Sequence, residues 1–168
     1  STSEIVVQGG NLNIASAISN PGVAWPMTMS AGTLTLNIFG GSISNSAPFN
    51  MDATGCVFDM SGGTIVVQNA GGSVGQNLGY NNLSLGGTGF TGGTLQIGND
   101  STDVNQTIGI TSTNPVSNLE IKSTNVIAQL HDSELSVTSD VVITTGELHS
   151  NGFDLSIGNN LTNNFSDT

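Results

Sequence analysis

Positive charge is almost absent from this chain. Of its 168 residues only Lys122 is a lysine or arginine, against twelve aspartates and glutamates, and the formal net charge is −11. Nucleic-acid binding depends on Lys and Arg side chains that displace counterions from phosphates. Binding to anionic lipid surfaces depends on the same charges. We therefore expect neither nucleic acid nor an anionic membrane among the partners.

Charged side chains of either sign make up only 8% of the chain, compared with roughly 25% in typical soluble domains. No apolar run reaches the eighteen or so residues of a membrane-spanning helix, so we expect no direct membrane insertion. The single cysteine, Cys56, excludes an internal disulfide, and its apolar neighbours predict a buried side chain. The polar surface must therefore consist of Asn, Ser, Thr, Gln and Gly.

What the chain has instead is a repeated, glycine-containing phrase. "MSAGTLTL" returns as "MSGGTIVV" and again as "FTGGTLQI", with Gly32, Gly63 and Gly93 in the same place at spacings of 31 and 30 residues. A repeat of roughly 20 to 50 residues indicates a solenoid, propeller or array. Glycine permits sharp turns through dihedral angles that other residues adopt at a cost. The glycines that we expect at structural corners are Gly10, Gly32, Gly41, Gly63, Gly93 and Gly146.

Apolar residues between these glycines alternate with polar ones. Pairs such as Leu34/Leu36 and Ile65/Val67 have the period of two that is typical of strands. Helical signals are nearly absent, and we interpret "NVIAQLHDSEL" at 125–135 as strand. Short strands joined by tight corners predict a right-handed parallel β-helix of about six to eight rungs, stacked about 4.8 Å apart. An antiparallel β-sandwich is the alternative.

Two short motifs imitate functional signatures without their required context. "GTGFTG" at 87–92 has the spacing of a dinucleotide-binding loop, which must be followed by a helix, whereas a strand pattern follows here. "GGSVG" at 71–75 has the spacing of a nucleophile elbow, which also leads into a helix. We therefore predict no catalytic and no cofactor-binding residues, and no enzymatic activity.

A carbohydrate-active or carbohydrate-binding β-helix is the alternative function. Cleavage of acidic polysaccharides usually needs Arg or Lys, which the chain nearly lacks. Hydrolysis by two carboxylates needs no cation, and the candidate pairs are Asp52 with Asp59 and Asp100 with Asp103. Calcium prefers six to eight oxygen ligands. The oxygen-rich stretch "NDSTD" at 99–103 therefore makes Asp100 and Asp103 candidate calcium ligands, and calcium is the one cofactor considered.

The segment "VVITTGELHSNGFDLSIGNNLTN" at 141–163 resembles a repeat found in very large secreted surface proteins of Bacteroidota, including the giant gliding-motility adhesins. This resemblance implies secretion and display at the cell surface. "DST" at 100–102 also resembles the short O-glycosylation signal of that phylum, with Ser101 as the acceptor. The residues that carry the repeat resemblance are Gly146, Leu148, Asn151, Gly152, Leu155, Ile157, Gly158, Asn160, Leu161, Thr162 and Asn163.

These observations favour a structural role. We expect residues 1–168 to form a single β-solenoid segment of a longer repetitive chain, because a strand pattern begins at residue 4 and a rung-like phrase stops just before the last residues. The expected function is that of a non-catalytic stalk, filament or adhesin at the bacterial cell surface. The expected partners are neighbouring repeats of the same chain and a surface polysaccharide or substratum.

Overall fold

The computed structural model describes residues 4–19, 22–73, 76–84 and 86–164. Within these ranges the protein has fifteen strands and no helix, and hence no helix with the length and hydropathy to cross a bilayer. The strands are β1 (Ile5–Ile14), β2 (Ile18–Ser19), β3 (Pro26–Leu36), β4 (Phe49–Met51), β5 (Val57–Met60), β6 (Thr64–Val67), β7 (Leu78–Asn82), β8 (Gly86–Phe90), β9 (Thr94–Ile97), β10 (Gln106–Ser112), β11 (Asn118–Leu130), β12 (Leu135–Val137), β13 (Val141–His149), β14 (Leu155–Ile157) and β15 (Leu161–Asn163).

All pairs between these strands are parallel, and they join residues 20 to 31 positions apart, as in Leu135↔Leu155 and Thr33↔Thr64. After each turn the chain therefore pairs with its own preceding turn, which is the pairing of a parallel β-solenoid. The predicted all-β, parallel fold is confirmed, and the antiparallel sandwich is wrong. Of the stretch 125–135 that we interpret as strand, residues 125–130 lie in β11 and residue 135 begins β12, whereas 131–134 form a turn between them. The right hand of the coil stays a prediction.

Each rung contributes to up to three faces. The second face stacks β1, β3, β6, β9, β11, β13 and β15 in that order, which gives seven rungs in the described residues. The first face contains the first halves of β1 and β3 together with β5, β8, β12 and β14. The third face contains β2, β4, β7 and β10 together with the second halves of β11 and β13. Rungs 1 to 7 comprise residues 5–19, 26–51, 57–82, 86–112, 116–130, 135–149 and 155–163.

Inward side chains of the second face form one continuous apolar column. Its five middle members are at most 1% exposed, whereas its end members, Leu12 and Leu161, are 41% and 59% exposed. Stacking buries each middle side chain between two like neighbours, which supplies the main apolar stabilisation of such a fold. The column consists of Leu12, Leu34, Ile65, Leu95, Leu119, Val141 and Leu161.

Aromatic rings fill the centre of rungs 2 to 4. Phe49 and Tyr80 stack with ring centroids 4.8 Å apart, and the Tyr80 hydroxyl accepts a hydrogen bond from Asn82 Nδ2 at 3.0 Å. Burial raises the pKa of Tyr80 above its ordinary value, and the Asn82 hydrogen bond opposes this only in part. The phenol is therefore neutral at physiological pH. Cys56 is fully buried in the same core, as its neighbours predict.

Glycines stack at the corner between the first and second faces. Gly32, Gly63 and Gly93 have φ angles of 88°, 87° and 86°. A Cβ on Gly63 would lie 2.7 Å from the carbonyl oxygen of Gly32, and a Cβ on Gly93 would lie 2.7 Å from that of Gly63. Gly10, with φ 69°, lies directly below Gly32. The recurring phrase therefore has a steric cause, because each corner leaves no space for a side chain above the previous one.

Two of the six expected corner glycines lie elsewhere. Gly146 has φ 90° but occupies the corner between the second and third faces, where a Cβ would meet the carbonyl of Ser123. Gly41 lies in the exposed loop after β3 and lacks a positive φ. The phrase "IFGGSIS" imitates the repeat, but Ile43 forms only an isolated antiparallel bridge with Gly72. Gly41 thus lies in the connection between β3 and β4 without the positive φ of the other five glycines, and its assignment to a structural corner stays a prediction.

Candidate functional site

The loop that contains Asp100 and Ser101 is a hydrogen-bonded turn. Asn99 Oδ1 accepts a hydrogen bond from the Ser101 backbone N–H at 2.9 Å. The Thr102 hydroxyl accepts one from the Asn99 N–H at 2.8 Å and donates to the carbonyl of Gln68 at 2.9 Å. Side-chain oxygens that a cation would need are thus already used in holding the turn against rung 3.

The two proposed calcium ligands do not form a complete calcium site with their neighbours. The Asp103 backbone N–H donates to Asn69 Oδ1 at 2.8 Å, and its carboxylate packs against Gly40, where a Cβ would collide with it. Asp100 is exposed. The described part of the chain contains no group of three or more His, Cys, Asp and Glu side chains that could hold a metal ion. Calcium binding at Asp100 and Asp103 therefore stays a hypothesis.

Ser101, the candidate glycosylation acceptor, lies at the exposed tip of this turn. Its backbone N–H donates to Asn99 Oδ1, and its carbonyl accepts from Gln68 Nε2 at 3.1 Å. The backbone is thus held in place while the residue faces solvent. Glycosylation at Ser101 stays a prediction.

The carboxylates proposed for sugar hydrolysis are not brought into one cleft. Asp52 follows β4 and lines a cleft with Ser19 and Asn50 on the third face. Asp59 lies on the first face, where it accepts hydrogen bonds from the Thr88 hydroxyl at 2.7 Å and from the Thr88 N–H. Hydrolysis by two carboxylates requires both to flank one bond. Each of the five described clefts carries a single carboxylate, namely Asp132, Glu147, Asp59, Asp52 or Glu134.

The two imitated motifs have the structural context expected from the sequence. "GTGFTG" begins within β8, and β9 follows it, so no helix N-terminus is present to hold a phosphate. Ser73 of "GGSVG" lies in a bend, and its N–H donates to Gln76 Oε1 at 2.6 Å. Val74 and Gly75 lie outside the described residues, and β7 is the next element.

Buried amide side chains at the corner after the second face are a feature that sequence reasoning missed. Asn37 and Asn69 are 0% and 1% exposed. Asn69 Nδ2 donates to the carbonyl of Asn37, and Asn37 Nδ2 donates to the carbonyl of Ala70, both at 2.8 Å. Asn125 continues this amide ladder two rungs later, donating to the carbonyl of Thr102 at 2.9 Å. The ladder satisfies corner carbonyls that no strand can reach.

A cleft of about 230 Å³ opens on the third face across rungs 3 and 4 and the turn that follows rung 5. Its floor includes the backbone at two buried glycines, Gly79 and Gly109. A Cβ on either residue would lie 2.6 Å from a carbonyl oxygen of the neighbouring rung. The pairing of β7 with β10 also shifts register between Gly109 and Ile110. Bulges and strand glycines often mark places where another group approaches the backbone.

Polar groups from three rungs converge on this third-face cleft. Asp132 is strongly exposed and has φ 62°, a left-handed conformation for a residue with a side chain. His131 Nδ1 lies 2.9 Å from Asp132 Oδ2, in an orientation that forms no hydrogen bond. The Thr111 hydroxyl donates to the carbonyl of His131 at 2.5 Å, which fixes the turn. The polar residues of the cleft are Asn81, Thr111, Thr113, His131, Asp132 and Ser133.

Two polar atoms of the cleft residues are buried without a hydrogen-bond partner among the described residues, namely Asn81 Oδ1 and His131 Nδ1. The other end of the Asn81 amide is satisfied, because its Nδ2 donates to Asn50 Oδ1 at 2.6 Å. An unpartnered buried polar atom costs about 1–3 kcal/mol. The cleft thus places the buried, unpartnered oxygen of Asn81 together with the contact between His131 and Asp132.

Comparison of the chain with protein-family models, with curated proteins and with solved structures found no match. Function must therefore be inferred from the solenoid and its third-face cleft.

Proposed function

We propose that this chain is a non-catalytic β-solenoid segment of a large, secreted bacterial surface protein, in which it serves as a stalk, filament or adhesin. The observation that carries the proposal is the stacking of seven parallel rungs along one apolar column of the second face, whose five middle members are at most 1% exposed. A stack of like rungs is an extended architecture, which suits a stalk or filament.

The lateral surface suits an extended, hydrated rod. Hydroxyl and amide side chains bond from rung to rung, as in Asn81 to Asn50 at 2.6 Å and Thr144 to Glu120 at 3.0 Å. Each rung pairs only with its neighbours, so additional rungs lengthen the rod without altering its cross-section. Mutual repulsion from the net charge of −11 favours solubility of such a rod.

We base the surface-protein part of the proposal on the resemblance of the segment at 141–163 to repetitive surface proteins. The segment spans β13, β14 and β15, and Val141 pairs with Leu161 one rung of 20 residues later. The repeating phrase thus corresponds to one rung with its corners, including Gly146 and Gly152, which both have positive φ. Repeats of this kind would stack on this segment as its neighbours in the same chain. We propose an extracellular location on the same grounds.

The alternative, a carbohydrate-active enzyme, has less support. Its first candidate pair, Asp52 and Asp59, lies on different faces. Asp100 and Asp103 lie in one exposed loop, but neither residue lines any of the five described clefts. Catalysis by carboxylates depends on a site that excludes water and positions the substrate. We therefore propose no enzymatic activity.

Surface display can be tested with antibodies raised against the folded segment. Intact cells that produce the protein should be labelled, and brief external protease treatment should remove the label. Deletion of residues 26–149 from the gene should lower attachment of the cells to a solid surface. Labelling only after lysis would contradict the proposal, and so would unchanged attachment by the deletion strain.

A further inference from the structure

We infer that the third-face cleft binds one ring of a neutral polysaccharide. The inference rests on the adhesive role proposed above and names its ligand class. The cleft lies on the side of the rod, away from the exposed column ends, so a bound chain would leave stacking of rungs undisturbed. Its location across the middle rungs, 3 to 5, also makes it accessible in a longer solenoid.

Charge argues for a neutral ligand. Asp132 is the single carboxylate of the cleft, and no lysine or arginine lines it. With a net charge of −11 on the chain, a phosphate, sulfate or uronate would approach against repulsion and find no fixed cation. The Thr113 hydroxyl suits a ligand rich in hydroxyl groups, and the Asn81 amide and the Thr111 hydroxyl keep acceptor sites beside the bonds that they already donate.

Size and shape argue for a single sugar ring. About 230 Å³ is below the roughly 300–1,000 Å³ of sites for drug-sized ligands. Gly79 and Gly109 line the cleft with backbone and no side chain, and Leu78 and Leu83 add apolar contacts. A pyranose ring presents the same combination, with apolar C–H faces and a rim of hydroxyls. Polar contacts at the rim and apolar contacts at the face are therefore both available.

The unpartnered atoms identify where ligand hydroxyls would bind. Asn81 Oδ1 can accept a hydrogen bond, and His131 Nδ1 can donate or accept one according to its tautomer. Both atoms are closed off from solvent, so a turn of the half-exposed His131 ring must accompany binding. Tyr80 is 1% exposed and offers no stacking platform. We therefore expect a dissociation constant on the order of 1 mM for one ring, strengthened by avidity when many copies bind one polymer.

The test is affinity gel electrophoresis of the folded chain through gels that contain dextran, mannan, galactan or alginate. At least one of the three neutral polymers should retard the chain, and the anionic alginate should not. Saturation-transfer NMR with the methyl glycoside of the retarding sugar then reports binding of a single ring. Absence of retardation by every neutral polymer, or retardation by alginate alone, would overturn the inference.

A matched pair of variants locates the site. Asp132→Gly removes the carboxylate, and glycine accommodates the φ of 62° without strain, so the fold should be kept. Asn105→Gly makes a similar change at φ 57°, at an exposed residue outside the cleft. Asp132→Gly should weaken binding at least about tenfold, because the exposed carboxylate is lost as an acceptor for sugar hydroxyls, whereas Asn105→Gly should bind as the unaltered chain does. Equal binding by both variants would overturn the inference while leaving the stalk proposal intact.

Discussion

The side-chain amide of Asn118 donates to the carbonyl of Gly93 over 2.8 Å. One rung below, the backbone N–H of Thr94 donates to the carbonyl of Gly63 over 3.0 Å. Rung 5 is shorter than rung 4, since Thr94 pairs with Asn118 only 24 residues later, and it has no corner glycine. Asn118 thus ends the glycine stack by replacing a backbone donor with a side-chain donor.

Replacing this donor should therefore destabilise the solenoid. Asn118→Ala leaves the Gly93 carbonyl without its partner, and we expect a loss of about 1–2 kcal/mol in the free energy of unfolding. Asn13→Ala in β1 is the control, because Asn13 is exposed, and it should change stability by less than about 0.5 kcal/mol. Urea denaturation measures both, and equal effects would contradict the role given to Asn118.

The glycine corner makes a second prediction, with two controls from the same chain. Gly63→Ala places a Cβ 2.7 Å from the Gly32 carbonyl at φ 87°, so we expect a loss of at least about 2 kcal/mol. Gly152 has φ 85° but open space, so Gly152→Ala should lose only about 1 kcal/mol from backbone strain. Gly41→Ala causes neither a steric clash nor backbone strain, so it should leave stability unchanged or raise it slightly. Equal melting temperatures for Gly63→Ala and Gly41→Ala would refute the steric account.

Much of this fold could be predicted from the sequence because its determinants are local. Alternation of Leu34 with Leu36 and of Ile65 with Val67 determines which side chains face inward, and the stacked pairs follow from it. The position of Gly41 could not be predicted in this way. A Gly-Gly pair before an apolar residue appears the same whether or not a strand follows, and only pairing with the next rung distinguishes the two cases.

The buried amides and the third-face cleft were beyond sequence reasoning for a different reason. In the sequence, Asn37 and Asn69 cannot be distinguished from the exposed asparagines, because the burial of their side chains depends on contacts between rungs. Their position one or two residues after the strands that end in "LTL" and "IVV" is the signal that could have revealed them. His131 could be assigned to a corner or surface, but its proximity to Asn81 and Thr111 depends on pairing across unequal rungs.

The amide ladder predicts a pH-dependent variant. Asn69→Asp replaces the donor to the Asn37 carbonyl with a buried carboxyl group, close to the Asp103 carboxylate. Desolvation and the nearby negative charge should raise the folded-state pKa of this introduced carboxyl above its unfolded value of about 3.9. The folded state then binds the proton more tightly, so stability relative to the unaltered chain is lost as pH rises from about 4 through the folded pKa. Denaturation at pH 4 and pH 8 should show the larger deficit at pH 8, and an equal deficit would contradict burial of the amide.

The calcium hypothesis has a direct test in thermal stability. A ligand that binds only the folded state raises the melting temperature, and a chelator reverses this rise. If Asp100 and Asp103 hold calcium, the chain should melt higher in calcium than in EDTA, and Asp103→Asn should abolish the difference. Magnesium at the same ionic strength controls for charge screening, since it prefers smaller and more rigid sites. Identical melting temperatures in calcium and EDTA would remove the hypothesis and leave the turn as structural.

The exposed ends of the apolar column predict self-association of the isolated chain. Leu161 pairs below with Val141, which is fully buried, yet 59% of Leu161 is exposed, and its strand β15 pairs only with β13 among the described residues. An edge of this kind favours pairing with another chain. Sedimentation velocity should show a mass that increases with concentration. Leu161→Asp places a charge in the stacking surface and should restore a monomer without unfolding it. Val23→Asp is matched in charge and exposure, since Val23 is 66% exposed but outside the column, and it should associate as the unaltered chain does. A monomer at every concentration would show that the column does not continue across rungs of neighbouring segments.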